Sequence, residues 1–269
     1  MLKYKINGNE SGELIVFVNG AGVGPWMWER QLNYFKDYKC ISFDLPGHGE
    51  NSDRDFTTIE DCSRIIREII ENESSEGKGI AIGLSIGAQI VLHMISHHQD
   101  VLKKCVVISG LNKPMKLSKP SIRILVSCSM PFIKLKSFSK LQAKQLSLPK
   151  HMFEAYYTDS LKISKNSLVN ILYENMKFSF GKMEQTTVDT LLLVGENEKK
   201  IMIDSARLTY SNMSNCIGYI VKKAAHGIPY EQADIFNVLV SNFFEGITTN
   251  ISDAVIGNIN LRRLQYEDT

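Results

Sequence analysis

"GIAIGLSIGAQIVLHMI", Gly79 to Ile95, sets a serine between two glycines where one hydrophobic rhythm replaces another. Ile80, Ala81 and Ile82 form an apolar run too compact for a helix, whereas Ile86, Ile90, Val91 and Met94 recur at helical spacing. Ser85 therefore falls on a strand-to-helix turn. Gly83 and Gly87 flank it two residues away on either side, and so tight a turn requires them, because a Cβ at either place strikes the neighbouring strand or helix. This is G-x-S-x-G in the context that gives the motif chemical meaning. The strained turn lifts the serine Oγ clear of the sheet, and the first amides of the following helix point at whatever that oxygen attacks.

Outward from this junction, strand-like runs recur with helical patterns between them. They are "LIVFVNG" (14–20), "KCISFDLPG" (39–47), "GIAIGLS" (79–85), "KKCVVISG" (103–110), "DTLLLVGE" (189–196) and "CIGYIVKKAAHG" (216–227). Nearly continuous apolar strands are what a parallel sheet buried on both faces requires, and the alternation with helices implies an α/β, doubly wound, mostly parallel sheet. The segment 57–73 reads as a helix capped by Thr58, with Ile59, Cys62, Ile65, Ile66 and Ile69 on one face. Residues 2–17 read as an N-terminal hairpin turning at "NGN".

The alternation breaks after Leu111, and the pattern to about Thr186 is helical. The expected organisation is a core made of residues 1–111 and 187–246, an inserted helical cap over 112–186, and a C-terminal extension, 247–269, to which no role is assigned. Between Asn112 and Lys150 stand eight Lys and one Arg with no Asp or Glu. Such a run is ordinarily a solvated face. Mixed with Ile, Leu, Met and Phe, it also suits contact with an anionic membrane or an acyl carrier.

The 269 residues, 43% of them apolar, are enough for one large domain with an insertion. A net charge of +2 gives no reason to expect nucleic acid as a partner, and no run of 18 apolar residues offers a membrane span. The start "MLKYKINGNESGE" lacks a signal-peptide h-region, so the cytoplasm is expected. Cys40, Cys62, Cys105, Cys128 and Cys216 are scattered and lack C-x-x-C spacing; they are expected as buried small hydrophobes rather than disulfides or metal ligands.

A nucleophilic serine needs a histidine at its Oγ and an acid at that histidine's other nitrogen. Among the six histidines, His226 in "KKAAHGIPYE" follows a strand and so lies at the carboxyl edge of the sheet, where open α/β folds gather their chemistry. His48, in "DLPGHGENS", reads as a structural turn residue. His93 and His97 have metal-ligand spacing but no third ligand, so no metal is expected there. His98 and His151 have no motif around them. The acid should follow "TLLLVG", where Glu196 and Glu198 both stand. Glu198, three beyond Gly195, is better placed to turn toward His226; Asp204 ranks behind both and reads as a helix N-cap.

With these pieces the sequence resembles the α/β-hydrolase superfamily, in its branch of small cap-bearing serine hydrolases and esterases. The resemblance rests on "NGAG" (19–22), "DLPGHGENS" (44–52), "GLSIG" (83–87), "GENE" (195–198) and "AAHGIPYE" (224–231), in the order serine, acid, histidine. It departs in two places, with Asn19 where a histidine is customary and a glutamate for the commoner aspartate. It implies catalytic Ser85, His226 and Glu198, an oxyanion hole from the Ala21 and Ile86 amides, no cofactor, no metal, and a small-molecule ester or thioester as substrate; the cap stretches "SMPFIKLKSF" (129–138) and "MFEAYYTDSL" (152–161), rich in Leu, Met, Phe and Tyr, favour an apolar acyl or aryl group. Thioesterase, acyltransferase and C–C bond hydrolase chemistry use the same triad, and a ligand-binding protein of low turnover uses the same fold.

Overall fold

A computed structural model describes residues 2–181 and 186–247, together with the backbone of 255–258. Its strands are β1 (Lys5–Gly8), β2 (Leu14–Val18), β3 (Lys39–Ser42), β4 (Gly79–Leu84), β5 (Leu102–Ile108), β6 (Asp189–Gly195), β7 (Cys216–Val221) and β8 (Val255–Asn258). They form one sheet in the order β1-β3-β2-β4-β5-β6-β7-β8. β2 to β7 run parallel, while β1 and β8 pair antiparallel at the two edges.

The strand composition follows from burial on both faces. Ile15 and Phe17 enter one core with Cys40, Ile80, Ile82 and Val106, whereas Val16 and Val18 enter the other with Ile41, Ala81 and Val107. With no solvated face over the middle of the strands, polar alternation gives way there to apolar runs. The helices are α1 (Glu29–Tyr34), α2 (Ile59–Glu73), α3 (Ile86–His97), α4 (Lys119–Ile133), α5 (Lys136–Gln145), α6 (Phe153–Ser160), α7 (Lys165–Lys177), α8 (Lys200–Ser211), α9 (Ile228–Glu231) and α10 (Ala233–Glu245). Residues of α2, α3 and α8 pack on one face; Trp28, Phe35 and the apolar side of α10 pack on the other. Thr58 caps α2, its side chain accepting from the Asp61 amide, and the isoleucines expected on one face are buried.

Three expectations change. β1 pairs with β3 instead of folding back on β2 as a hairpin, because both edges of the fully buried β2 are taken by β3 and β4. The more polar β1 goes to the sheet edge. Asp204 lies inside α8 instead of capping it, since the helix already starts at Lys200. Cys128 is exposed and Cys216 half-buried, unlike the other three cysteines. Within the C-terminal extension, Ile247 and the backbone strand β8 are described, and the remainder lies outside the described residues.

Helices α4 to α7 leave the sheet after β5 and return before β6. Ile122 and Val126 of α4 pack on Val169 of α7. α7 is tied to the core by buried hydrogen bonds: Ser167 Oγ accepts from the Phe56 amide, Asn170 Nδ2 donates to the Phe56 carbonyl, and Glu174 accepts from the Ile59 amide at the start of α2. Gln89, buried on α3, donates to the Leu111 and Asn175 carbonyls and accepts from Asn175 Nδ2. Gln89→Leu keeps the volume but leaves two carbonyls without that donor, which should lower stability by about 2 kcal/mol. Urea unfolding checks this, and a loss below about 0.5 kcal/mol, the level of an ordinary surface substitution, would contradict the tether.

Candidate active site

Ser85 sits between β4 and α3 at φ 59° and ψ −116°, a conformation a non-glycine residue adopts only under constraint. The constraint is visible on all sides. The Ser85 amide donates to the Ile108 carbonyl of β5 at 2.9 Å. A Cβ added to Gly83 would fall 2.3 Å from the Gly87 carbonyl oxygen, and one added to Gly87 would fall 2.3 Å from the Val18 oxygen and 2.7 Å from the Asn19 oxygen. Both glycines are therefore fixed by backbone approaching backbone. Ile86 opens α3, so its amide has no intrahelical acceptor.

The loop after β2 runs past this turn: a Cβ on Gly20 would lie 3.5 Å from Ser85 Cβ. Ala21 follows, and Gly22 takes a positive φ of 75°. Two buried side chains hold the loop. Asn19 Oδ1 accepts from Trp28 Nε1 and its Nδ2 donates to the Phe43 carbonyl, both at 2.8 Å. His48 Nε2 accepts from the Gly22 amide at 3.0 Å while Nδ1 donates to the Pro46 carbonyl at 3.0 Å, a pairing that requires the neutral ring. A cleft of about 480 Å³ opens beside Trp26, Asp44 and Asp159, and Ser85, His226 and Glu198 are not among its lining residues.

His226 lies on the loop after β7, and its Nδ1 meets Glu198 Oε1 at 2.9 Å; the side chains are 17% and 5% exposed. The other two acids considered for this place are engaged elsewhere. Glu196 accepts from the Lys223 amide, and Asp204 pairs with Lys113 and Arg207. Ser85, Glu198 and His226 thus follow β4, β6 and β7, all at the carboxyl edge of the sheet. His93, His97 and His98 make contacts away from this edge. His93 Nδ1 meets Ser63 Oγ at 2.8 Å and its ring stacks on His97 at 4.2 Å, while Arg67 approaches His98.

Two residues that the sequence reading gave no part in the site also shape it. Glu231 accepts from the Gly227 amide at 2.8 Å with one oxygen and from the Ala225 amide at 3.0 Å with the other, so one carboxylate grips the backbone on both sides of His226. Its sequence signal is the acid placed to reach back to the N-cap amide of α9, a relative of the capping box. His48 is the second: its turn was legible, but not its bond to the loop beside Ala21.

Burial pushes the His48 pKa below its usual 6.5. The unfolded chain then takes up a proton that the native ring refuses, so this contribution is whole above pH 6.5 and is lost as pH falls toward the lowered native value. Burial lowers His93, to about 4, and His98 in the same sense. The Tm should fall as pH drops from 7 to 5, and less steeply in His48→Gln; an unchanged slope would remove His48 from this role.

Comparison with known proteins follows the same line. A model of the alpha/beta hydrolase family matches residues 15–236. The chain is 25% identical over 113 residues to pimeloyl-[acyl-carrier protein] methyl ester esterase of Vibrio cholerae, a match covering 42% of each. It is 30% identical over 92 residues to 3-oxoadipate enol-lactonase 1 of Acinetobacter baylyi, covering 34% of each. Human epoxide hydrolase 4 is 23% identical over 277 residues, covering 90% of this chain and 75% of that one. The first two are therefore matched over less than half of their length. Among solved structures, MenH from S. aureus has a TM-score of 0.73 at 20% identity, covering 91% of this chain and 99% of that one. The enol-lactonase from Burkholderia xenovorans LB400 has a TM-score of 0.74 at 16% identity, covering 91% and 96%. At these identities the likeness is one of fold.

Proposed function

The chain belongs to the alpha/beta hydrolase family, and on that premise we propose that it is a serine hydrolase that cleaves a carboxylic ester or thioester of a small or medium apolar acyl group. The observation that carries this is the Glu198–His226 hydrogen bond at 2.9 Å, at the same sheet edge as a serine held at positive φ.

In this reading His226 Nε2 takes the Ser85 hydroxyl proton as Oγ attacks the carbonyl carbon. Glu198 fixes the Nδ1–H tautomer and stabilises the imidazolium that forms. The Ala21 and Ile86 amides receive the oxyanion, each supplying on the order of 3 kcal/mol of transition-state stabilisation, the scale of such donors. The alcohol or thiol leaves with the proton from His226. Water activated by the same ring then releases the acyl group from Ser85. Asn19, locked between Trp28 and Phe43, supports the backbone of the loop and does not itself need to touch substrate.

The helices over residues 112–186 serve as the cap. Met152, Phe153 and Tyr156 share a buried cluster with Val23, Leu84 and Ile228, beside Ser85 and His226 in sequence, and the Tyr156 ring lies 3.8 Å from where a Gly22 Cβ would stand. An acyl group held against that cluster would meet apolar side chains. The esterase and lactonase names of the relatives fit acyl chemistry. Ser85 does not supply the carboxylate nucleophile that epoxide opening in this fold requires.

Ser85→Ala should keep the fold and lose roughly 10⁴-fold or more in ester hydrolysis, together with labelling by a fluorophosphonate. Undiminished turnover in that variant would end the serine-hydrolase reading. Glu198→Gln should cost on the order of 10³-fold or more, because only the residue paired with Nδ1 sets the tautomer. Glu196→Gln and Asp204→Asn should each stay within about tenfold of the parent, and kcat for a short p-nitrophenyl ester ranks the three.

A further inference from the structure

α4 carries two apolar faces. Ile122, Val126 and Ile133 are buried on one side, the first two against α7. On roughly the opposite side, at spacings of three and four, stand Ile124 (67% exposed), Leu125 (56%), Cys128 and Phe132 (51%), continued past the helix end by Leu135 (52%). A surface helix normally turns charged or polar residues outward here. The exposed apolar character continues on α5 with Leu141, and Met115 and Leu117 precede α4.

The charges around this face share one sign. Arg123 and Lys134 flank the α4 stripe, with Lys116 and Lys119 before it and Lys140, Lys144 and Lys150 beyond, all exposed. No acid stands anywhere between Asn112 and Lys150. Among the described residues, carboxylates from elsewhere meet this run at Lys113, through Asp204, and at Lys136, through Glu154. Lys119 and Lys140 lie over the rings of Tyr173 and Phe153, contacts that leave their charge uncancelled.

We propose that the outer face of α4 and α5 is a docking surface for an anionic phospholipid bilayer, on which the protein lies with Ile124, Leu125, Phe132 and Leu135 entering the headgroup and acyl boundary and the surrounding lysines meeting lipid phosphates. A patch of large aliphatic and aromatic residues ringed by unpaired cations matches a surface that is anionic outside and apolar just beneath. A soluble acidic protein would meet the charges but leave the apolar stripe without a counterpart. Among the described residues no helix is long and apolar enough to cross a membrane, so the contact is one of lying on the surface. Docking goes beyond the chemistry proposed for Ser85 and is independent of turnover.

The test is co-sedimentation of the Ser85→Ala protein with vesicles of phosphatidylcholine alone and with about 30% phosphatidylglycerol. Binding should be at least tenfold stronger to the anionic vesicles and should fall at least tenfold at about 0.5 M salt, where screening reaches only several Å. Arg123→Gln/Lys134→Gln/Lys144→Gln should remove the preference for anionic lipid. Ile124→Gln/Leu125→Gln should weaken binding at least tenfold while thermal unfolding stays unchanged. In the Ser85 background, both sets should hydrolyse a soluble short ester at the parental rate, which separates loss of docking from loss of the catalytic reading. Equal partition to both vesicle types, retention by either variant set, or binding to an acidic acyl-carrier protein without binding to vesicles would overturn the proposal.

Discussion

The architecture depends on one steric condition: the chain must turn from β4 into α3 with Ser85 at positive φ while the backbones of three segments touch. Gly87 lies against the carbonyls of Val18 and Asn19, and Gly83 against Gly87 itself, at approaches that leave no room for a Cβ. The turn is therefore formed by β2, β4 and α3 together. Only when the parallel sheet has assembled in register do the end of β2 and the start of α3 come close enough to hold a strained residue, whose intrinsic cost is of order 1–3 kcal/mol. The same approach brings the Gly20–Gly22 loop beside the serine. One constraint thus positions both the hydroxyl and the amides proposed to receive the oxyanion.

Acids near the carboxyl edge show a division of labour. Glu198 faces an imidazole, whereas Glu196 and Glu231 face backbone amides. An amide-bound carboxylate organises a loop; a carboxylate on an imidazole nitrogen fixes which nitrogen carries the proton. Glu231 holds the loop so that His226 meets Glu198 without a helix or strand to support it. His48 does comparable work on the opposite side, where a neutral ring presents a lone pair to Gly22.

The α/β alternation was legible because strands buried on both faces leave long apolar runs, and the elbow because two glycines are forced by backbone contact. The Glu198–His226 pairing was legible from loop position alone. What the sequence concealed was of another kind. The partner of β1 depends on which edge of β2 is vacant, a property of the assembled sheet and not of the "NGN" turn. Asp204 resembled a cap because capping and helix-interior aspartates look alike until the helix start is known. The contact of His48 with Gly22 joins two separate loops, which no local residue pattern specifies, whereas that of Glu231 had a local signal in its spacing from Gly227. The basic and apolar mixture of α4 was legible, but not which of its apolar residues stay bare, since residues around a whole helix look the same in sequence whether they are covered or exposed.

Gln89 stands one turn along α3 from Ser85, and its amide joins that helix to the start of the inserted segment at Leu111 and to α7 at Asn175. With Ser167, Asn170 and Glu174 bonded to the ends of the chain between Phe56 and Ile59, α7 is anchored along its length. α4 meets it through the small cluster of Ile122, Val126 and Val169. α7 is in this way the joint that couples the inserted segment to the helix carrying the serine, whereas the end of α5 is joined to the chain just after His226, where Tyr230 Oη donates to the Leu146 carbonyl at 2.6 Å. Ser85 and His226 are thus braced against the insertion by different helices.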